Sequence, residues 1–528
     1  MLMTAAEYRD SLRRYAPTVF VNGDRVDSVV DDPRLQPGIN AVGITYDFAH
    51  VEAHKKLMTA RQGRFGTTVN RMLHVNETSS DLLDKLEAVR LVCREAGCAH
   101  RYLSHDALNA IFQATHRTDA SHGTEYHQRF LNYLRDVQAA DLTLGVAMTD
   151  AKGDRSLRAG VQVNPDVYVR ITERRADGIV IRGTKAIVTA APYVHEFLVM
   201  PCRTHGVDEV DFAVCCAVPV DAPGVTIVAR PAGRPGESAA VFSARYGQST
   251  GVVLFDDVFV PHDRVFLAGE WEEGGYLTTC YATHHRHSCI GARAGFGDLL
   301  IGAGQLMIEA NGLDPERHDH VRDAMVELIT ITESFFACGV AASVYHTHDP
   351  AGSVMPDHVF ANIGKLLLAT KIYDMHRVAH EVSGGLIVAL PGPDEDHNPV
   401  TQAALAAVLQ GRPDIPASAR LQVARLIEDL TVSHQAGWYS VISLHGGGSP
   451  EAMKREIWRN YPIDDKVALA ERLLDRGVVA DGRRVSKQPG RCCATGCAVP
   501  PPPVTQATEQ PAGDQPISRE TRMASPSV

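Results

Sequence analysis

The chain has 528 residues, 45% of them apolar and 22% charged, with a formal net charge of −11 and eleven cysteines. That balance fits a globular protein with a large core, and the negative charge gives no electrostatic basis for binding nucleic acid or an anionic membrane surface. We expect no apolar run of the 18 residues a membrane span needs, no leader over Met1 to Asp10, reduced and mostly buried thiols, and a cytoplasmic location.

Apolar residues recur at helical spacing in Leu82, Leu83, Leu86, Val89, Leu91 and Val92, so residues 1–140 read as an N-terminal helical domain. Over residues 141–270 the pattern changes to short β-type runs. Val167 to Ile171 alternates, Ala176-Asp177-Gly178 is a hairpin signal, and Ile179 to Ile181 resumes the strand. Phe212 to Val220, Val225 to Ala229 and Val252 to Val260 complete a small antiparallel β domain carrying the loop and strand motifs below. Helical periodicity returns over residues 271–480 as a C-terminal bundle, in Ala292 to Ala310, Val321 to Tyr345, Val359 to Ser383 and Leu421 to Thr431. Asn311-Gly312 and Gly384-Gly385 are the expected stops of two of these helices. Residues 481–528, with Pro500 to Pro503, have too little apolar content to offset their ordering entropy and read as a disordered tail. Its Cys492, Cys493 and Cys497 are assigned no catalytic role. The fold class is therefore α+β, in the order helices, sheet, helices.

Several segments carry chemistry. Ala147 to Arg155 reads AMTDAKGDR, a run of small and hydroxyl residues around Gly153; such a loop lets backbone amides approach an anionic group, although on composition alone an ordinary turn is the favoured reading. Arg182 to Ala190 (RGTKAIVTA) follows the hairpin, and Arg245 to Gly251 precedes the last strand. Cys98-Ala99-His100-Arg101-Tyr102 and His284-His285-Arg286-His287-Ser288-Cys289 concentrate imidazole, thiol, phenol and guanidinium groups in two short stretches. Each such residue has a plainer role as a structural hydrogen-bonding group or small buried hydrophobe.

These segments, in this order, resemble those of the 4-hydroxyphenylacetate 3-hydroxylase superfamily, and the 4-hydroxybutyryl-CoA dehydratases within it, from Met1 through Pro450. The resemblance implies an acyl-CoA dehydrogenase-like fold and FAD as cofactor. It places Met148, Thr149, Lys152, Gly153, Asp154, Arg155 and Lys185 at the flavin and Thr189 beside its N5. It sets Gly384 and Gly385 against the flavin of a neighbouring subunit, and so implies a homotetramer. The dehydratases hold a 4Fe-4S cluster through three Cys and one His. Cys98 and His285 fall on two of those positions, but Tyr102 and Ala292 stand at the others, so no cluster is expected and no metal site is assigned. Two glutamates of that branch are Thr250 and Ile442 here, and its tyrosine and lysine near the cluster are Cys289 and Arg293.

The phenol hydroxylase branch lacks the cluster and uses reduced FAD from a separate flavin reductase. Its substrate arginine is Leu103 here, and its histidine before the flavin loop is absent, since Gly145-Val146 precede Ala147. The resemblance thus implies the oxygenase component of a two-component monooxygenase acting on a small aromatic, amino-acid-derived or carrier-bound metabolite. His285 and Tyr102 are the expected acid–base pair, with Arg101 and Thr189 as further catalytic residues. The alternatives are a cluster-free, redox-neutral dehydratase or isomerase acting on an acyl-CoA, and a non-catalytic flavin-binding scaffold.

Overall fold

Thr78 opens the first long helix with a capping box: its hydroxyl accepts from Asp81 N at 3.2 Å, and Asp81 accepts from Thr78 N at 2.9 Å. The helix runs Ser79–Ala96 and stops at Gly97, whose φ of +66° lies in the left-handed region that favours glycine. The break from Gly97 to Arg101 carries Cys98 and His100, and the next helix, Tyr102–His122, begins at Tyr102. The structure is a computed structural model that describes residues 2–474. The expected disordered tail, residues 481–528 with its three cysteines, lies outside the described residues. Those through Pro462 form one compact unit, and Ile463–Leu473 is a helix of a second.

The β layer departs from the sequence expectation. It has a six-stranded sheet in the order Asp24–Arg25, Thr18–Val21, Val225–Ala229, Thr250–Pro261, Gly178–Thr189, Arg170–Arg174. A four-stranded sheet follows the order Val265–Ala268, Val214–Pro219, Glu196–Val199, Leu144–Ala147. Neither sheet is wholly antiparallel: Thr18–Val21 runs parallel to Val225–Ala229, and Leu144–Ala147 parallel to Glu196–Val199. The N-terminal region is thus not purely helical. A run as short as Thr18–Val21 carries no readable periodicity, and a parallel partner is always distant in sequence. Val19, Ile181, Val188, Ile227 and Val253 of one sheet share a core with Phe197, Val199, Val214 and Val218 of the other.

A helix of 40 residues, Trp271–Ala310, organises the helical layer. It begins at Trp271 rather than Ala292 because Thr283 to Ser288 are polar yet all buried, which erases the amphipathic pattern. Gly291 and Gly295 let Ser79–Ala96 cross it closely; an added Cβ would lie 2.6 Å from Leu86 O and 2.4 Å from Arg90 O respectively. Asp319–Val344 and His358–Ser383 pack against the same long helix. Asp319–Val344 corrects another expectation, since an 18-residue window of it, one third buried, has a mean hydropathy of 1.5. That is long and apolar enough to cross a membrane, and the sequence reading missed it because Ala, Gly, Thr and Cys break up its aliphatic residues. Its inner face, with Val321, Leu328 and Phe335, is buried in the helical core.

Candidate active site

The long helix sets the site by simple spacing. His285, Cys289 and Arg293 recur every four residues, so all three present on one face. That face meets the Gly97 to Tyr102 break, the end of the Gly178–Thr189 strand, Lys365 of His358–Ser383 and Ser443 of His434–His445 around a narrow cleft. Among the described residues no carboxylate lines it.

Asp106, on the Tyr102–His122 helix, anchors the polar side of the cleft. Its Oδ2 lies 3.1 Å from His285 Nδ1, and its Oδ1 accepts from Ser288 Oγ at 2.6 Å. Lys85 donates to Ser288 Oγ at 2.8 Å and sits 3.8 Å from Asp106. Burial pushes the Asp106 carboxyl up, but hydrogen bonds from His105 and His285 and the Lys85 charge together hold it well below the carboxylate range. The other ring nitrogen of His285, Nε2, is 3.6 Å from Cys289 Sγ. Burial alone lowers the His285 pKa; Cys289 and Asp106 outweigh it and raise the value to about 10. The Cys289 thiol moves the opposite way, pushed up by burial but pulled down further by His285, Lys365 and Arg293. Asp106, His285 and Cys289 thus form a carboxylate–imidazole–thiol relay whose charges favour the proton on His285, with Cys289 partly exposed to the cleft.

Tyr102 lies alongside this relay. Its Oη is 3.2 Å from Cys98 Sγ, and its ring stacks on His285 with centroids 6.1 Å apart. Burial first, then Cys98 and Cys289, raises its pKa, which keeps the phenol neutral. The expected His285–Tyr102 pair therefore converges, but as stacked rings: the hydrogen bonds of His285 go to Asp106 and Cys289. Thr189 also lines the cleft, 9% exposed at the end of its strand.

Other expected site residues fall elsewhere. Arg101 does not reach the cleft. It is fully buried, donates to Asp141 and stacks over Tyr46 at 3.8 Å, because it precedes the helix and turns toward the residue 141 junction. Lys185 is equally committed, bonding Met148 O at 2.9 Å, Met200 O at 2.8 Å and Asp150 Oδ1 at 2.7 Å; it fixes the base of the Ala147 to Arg155 loop. In that loop Met148, Thr149 and Lys152 are half-buried and Gly153, Asp154 and Arg155 exposed, with Lys152 and Gly153 at φ of +74° and +52°. Gly384 and Gly385, both left-handed and exposed, end the His358–Ser383 helix. Neither the loop nor this pair lines the cleft. Of the four histidines in those two stretches, His100 and His285 line the cleft. His284 faces Gln113, and His287 bonds Gly339 O and Ser343.

Asp106, Lys365, Gln248 and Ser443 escaped the sequence reading. Asp106 stands one helical turn after Tyr102, and Lys365 interrupts the apolar Gly364-Lys365-Leu366-Leu367-Leu368, so both left a legible signal.

Residues 4–267 match the family model for the 4-hydroxyphenylacetate 3-hydroxylase N terminal and residues 275–475 the model for its C terminal. The chain belongs to the 4-hydroxyphenylacetate 3-hydroxylase family. It is 34% identical to the 4-hydroxybutyryl-CoA dehydratase/vinylacetyl-CoA-Delta-isomerase of Clostridium aminobutyricum over 89% of this chain and 99% of the relative. It is 24% identical to the 4-hydroxyphenylacetate 3-monooxygenase oxygenase component of Thermus thermophilus, over 87% and 95%. Among solved structures, an oxygen-tolerant archaeal 4-hydroxybutyryl-CoA dehydratase from N. maritimus superimposes with a TM-score of 0.87 at 32% identity, covering 90% of this chain and 96% of that one. An oxygenase component of 4-hydroxyphenylacetate 3-monooxygenase complexed with FAD gives 0.80 at 22% identity over 90% and 99%, a likeness of fold alone.

Proposed function

We propose that the chain is an FAD-dependent oxidoreductase, the oxygenase component of a two-component system fed with reduced FAD by a partner reductase, converting a small metabolite at the Thr189 cleft. The observation that carries this reading is the Tyr102–Cys98 contact. Tyr102 Oη occupies the neighbourhood of the Cys98 thiol, both ring nitrogens of His285 are engaged, and Ala292 offers no donor. At the four ligand positions one thiol and one imidazole remain, and although Cys289 and His100 also line the cleft, among the described residues no three His, Cys, Asp or Glu side chains are grouped as metal ligands, so the residues do not fit a 4Fe-4S cluster, and no step is derived through one. The glutamate positions point the same way. Thr250 accepts a hydrogen bond from Trp438 at 3.1 Å, and Ile442 lines the cleft as an apolar wall. An elimination that needs a Lewis acid and two carboxylates lacks its groups here.

The residues suit a flavin better. The left-handed Lys152–Gly153 turn presents an exposed edge, and Gln248 Oε1 and both ring nitrogens of His100 are buried at the cleft without partners. Bound FAD supplies two-electron reduction and the activation of oxygen. The chain's own part is then to set the ring edge with the Thr189 hydroxyl, to hold a proton on His285 next to Cys289, and to exclude water with Leu103, Leu368 and Ile442.

The reading extends to an acyl-CoA dehydrogenase-like fold, a cytoplasmic location and a homotetramer. In support of the last, the apolar helix Gln402–Leu409 buries no residue, and Val388, Val400 and Val408 are 92%, 84% and 73% exposed. Light scattering is expected to give four chains per particle, and a monomer at working concentration argues against the tetramer. A second reading, redox-neutral elimination or isomerisation of an acyl-CoA, draws on the 34% identity to the dehydratase and on a proton relay that requires no oxygen. Mixing the reduced, FAD-loaded protein with oxygen in a stopped-flow spectrometer separates the two. The oxygenase reading expects a transient near-ultraviolet species that substrate discharges; smooth reoxidation unaffected by any substrate favours the second.

A further inference from the structure

We infer that the cleft contains a carboxylate subsite built by Arg293 and Lys365, which makes the substrate of this site a small organic acid anion. The inference deepens the function proposed above and rests on that reading for the cleft being the reaction site. Both side chains are buried, Arg293 at 5% exposure and Lys365 at none. Arg293 Nε donates to Ser443 Oγ at 2.5 Å, and Lys365 Nζ donates to Ser443 O at 2.5 Å. Ser443 therefore holds the two cations side by side. Arg293 Nη1 is buried with no partner, and among the described residues neither cation has a carboxylate within ion-pair distance.

The rest of the molecule shows how unusual this is. Lys185 has Asp150 at 2.7 Å, Arg90 has Asp298 at 2.7 Å, Lys85 has Asp106 at 3.8 Å, and Arg101 has Asp141. Buried Arg286 lacks a carboxylate, but Gly447 O and Asn362 Oδ1 take its hydrogens. A buried cation without a carboxylate is costly, and two facing one cavity, Arg293 with the Cys98 thiol as its leading electrostatic neighbour and Lys365 with none to itself, mark a place for an anion. The thiols do not supply it. The charge on Cys289 is matched by His285, and an ionised Cys98, bonded to Tyr102, still leaves Lys365 without a counter-charge. Burial accordingly pushes Lys365 down to about 8. A carboxylate bridging Arg293 Nη1 and Lys365 Nζ satisfies both donors through charge-assisted bonds. The Tyr102 and Cys289 side of the cleft then faces the remainder of the substrate.

Calorimetric titration of the FAD-loaded full chain tests this, with benzoate as the anion and benzamide as its neutral isostere. Benzoate is expected to bind at least about tenfold more tightly, the scale of one charge-assisted hydrogen bond, with that preference lost in Arg293→Gln and in Lys365→Met. Equal binding of benzoate and benzamide overturns the subsite, as does unchanged benzoate affinity in both variants. Where a variant fails to fold by circular dichroism, the wild-type benzoate-to-benzamide ratio and its weakening by chloride decide the question. Flavin content, read from visible absorbance in the same samples, keeps the two claims apart. Loss of FAD with intact benzoate selectivity counts against the flavin reading alone, and retained FAD without selectivity counts against the subsite alone.

Discussion

The proton between Cys289 and His285 is the most informative single atom of the site. The charges around the pair lower the Cys289 thiol and raise His285, so they favour the proton on imidazole, where it leaves a more nucleophilic sulfur. That placement of the proton is visible spectroscopically. Difference absorbance at neutral pH should show a thiolate band that Cys289→Ser removes and Asp106→Asn weakens, since Asp106 supports the charged imidazole from 3.1 Å. No difference between wild type and Cys289→Ser disproves the ion pair. His285→Ala is expected to lower turnover on the order of 10²–10⁴-fold with flavin content kept. Turnover within a few-fold of wild type assigns His285 to packing against Tyr102 and Tyr281. At the opposite wall, Thr189→Val conserves volume and removes one hydroxyl, which should weaken flavin binding by about 0.5–1.5 kcal/mol. An unchanged flavin spectrum and unchanged rates place Thr189 away from the ring.

At the level of elements, the site depends on how closely the Ser79–Ala96 and Trp271–Ala310 helices cross, since that spacing brings Lys85 to Ser288. Two effects compete in Gly295→Ala. Helix propensity favours alanine by about 1 kcal/mol, whereas the new Cβ would meet Arg90 O at 2.4 Å and Arg94 N at 2.8 Å, backbone atoms that cannot rotate away. Overpacking of that kind costs about 1–3 kcal/mol, so net destabilisation in urea is expected, and a stabilised variant refutes the close-crossing account. The same helix marks where sequence reading succeeds and stops. Asp319–Val344, His358–Ser383 and Ala417–Thr431 fall within a few residues of expectation because one face of each is apolar. The first half of the long helix was invisible, since His284, Arg286 and His287 are buried polar residues whose partners lie far away in sequence. The family resemblance singled out His285, Tyr102, Cys289 and Thr189, and all four line the cleft. It could not reveal that Arg101 turns to Asp141 or that Lys185 is consumed by carbonyls, because direction and partner are properties of the fold.

For the whole molecule, the buried charges predict how stability responds to pH. Lys85 and Lys365 are both pushed down by burial to about 8, so from pH 8 to about 10 these two groups hold more protons in the unfolded chain and their contribution to stability rises, opposed by the raised group His285, whose contribution is lost as pH climbs through about 10. Lys365→Met should flatten that rise, as measured by urea denaturation across the range. Asp106 acts at the acid end: its depressed value means a contribution present above the ordinary carboxylate range and lost as pH falls through it. The parallel strand Thr18–Val21 has a consequence of another kind. Thr18 registers with Thr226, 208 residues further along. At roughly 5–20 residues per second of synthesis, the first strand leaves the ribosome some 10–40 s before its parallel neighbour exists. Through that interval Val19 and Val21 have only the two-residue hairpin partner Asp24–Arg25 beside them, and the N-terminal helices can close early only if they leave a slot for the later strand. Assembly of this enzyme is thus timed from its middle, with the first-made segment among the last to find its place.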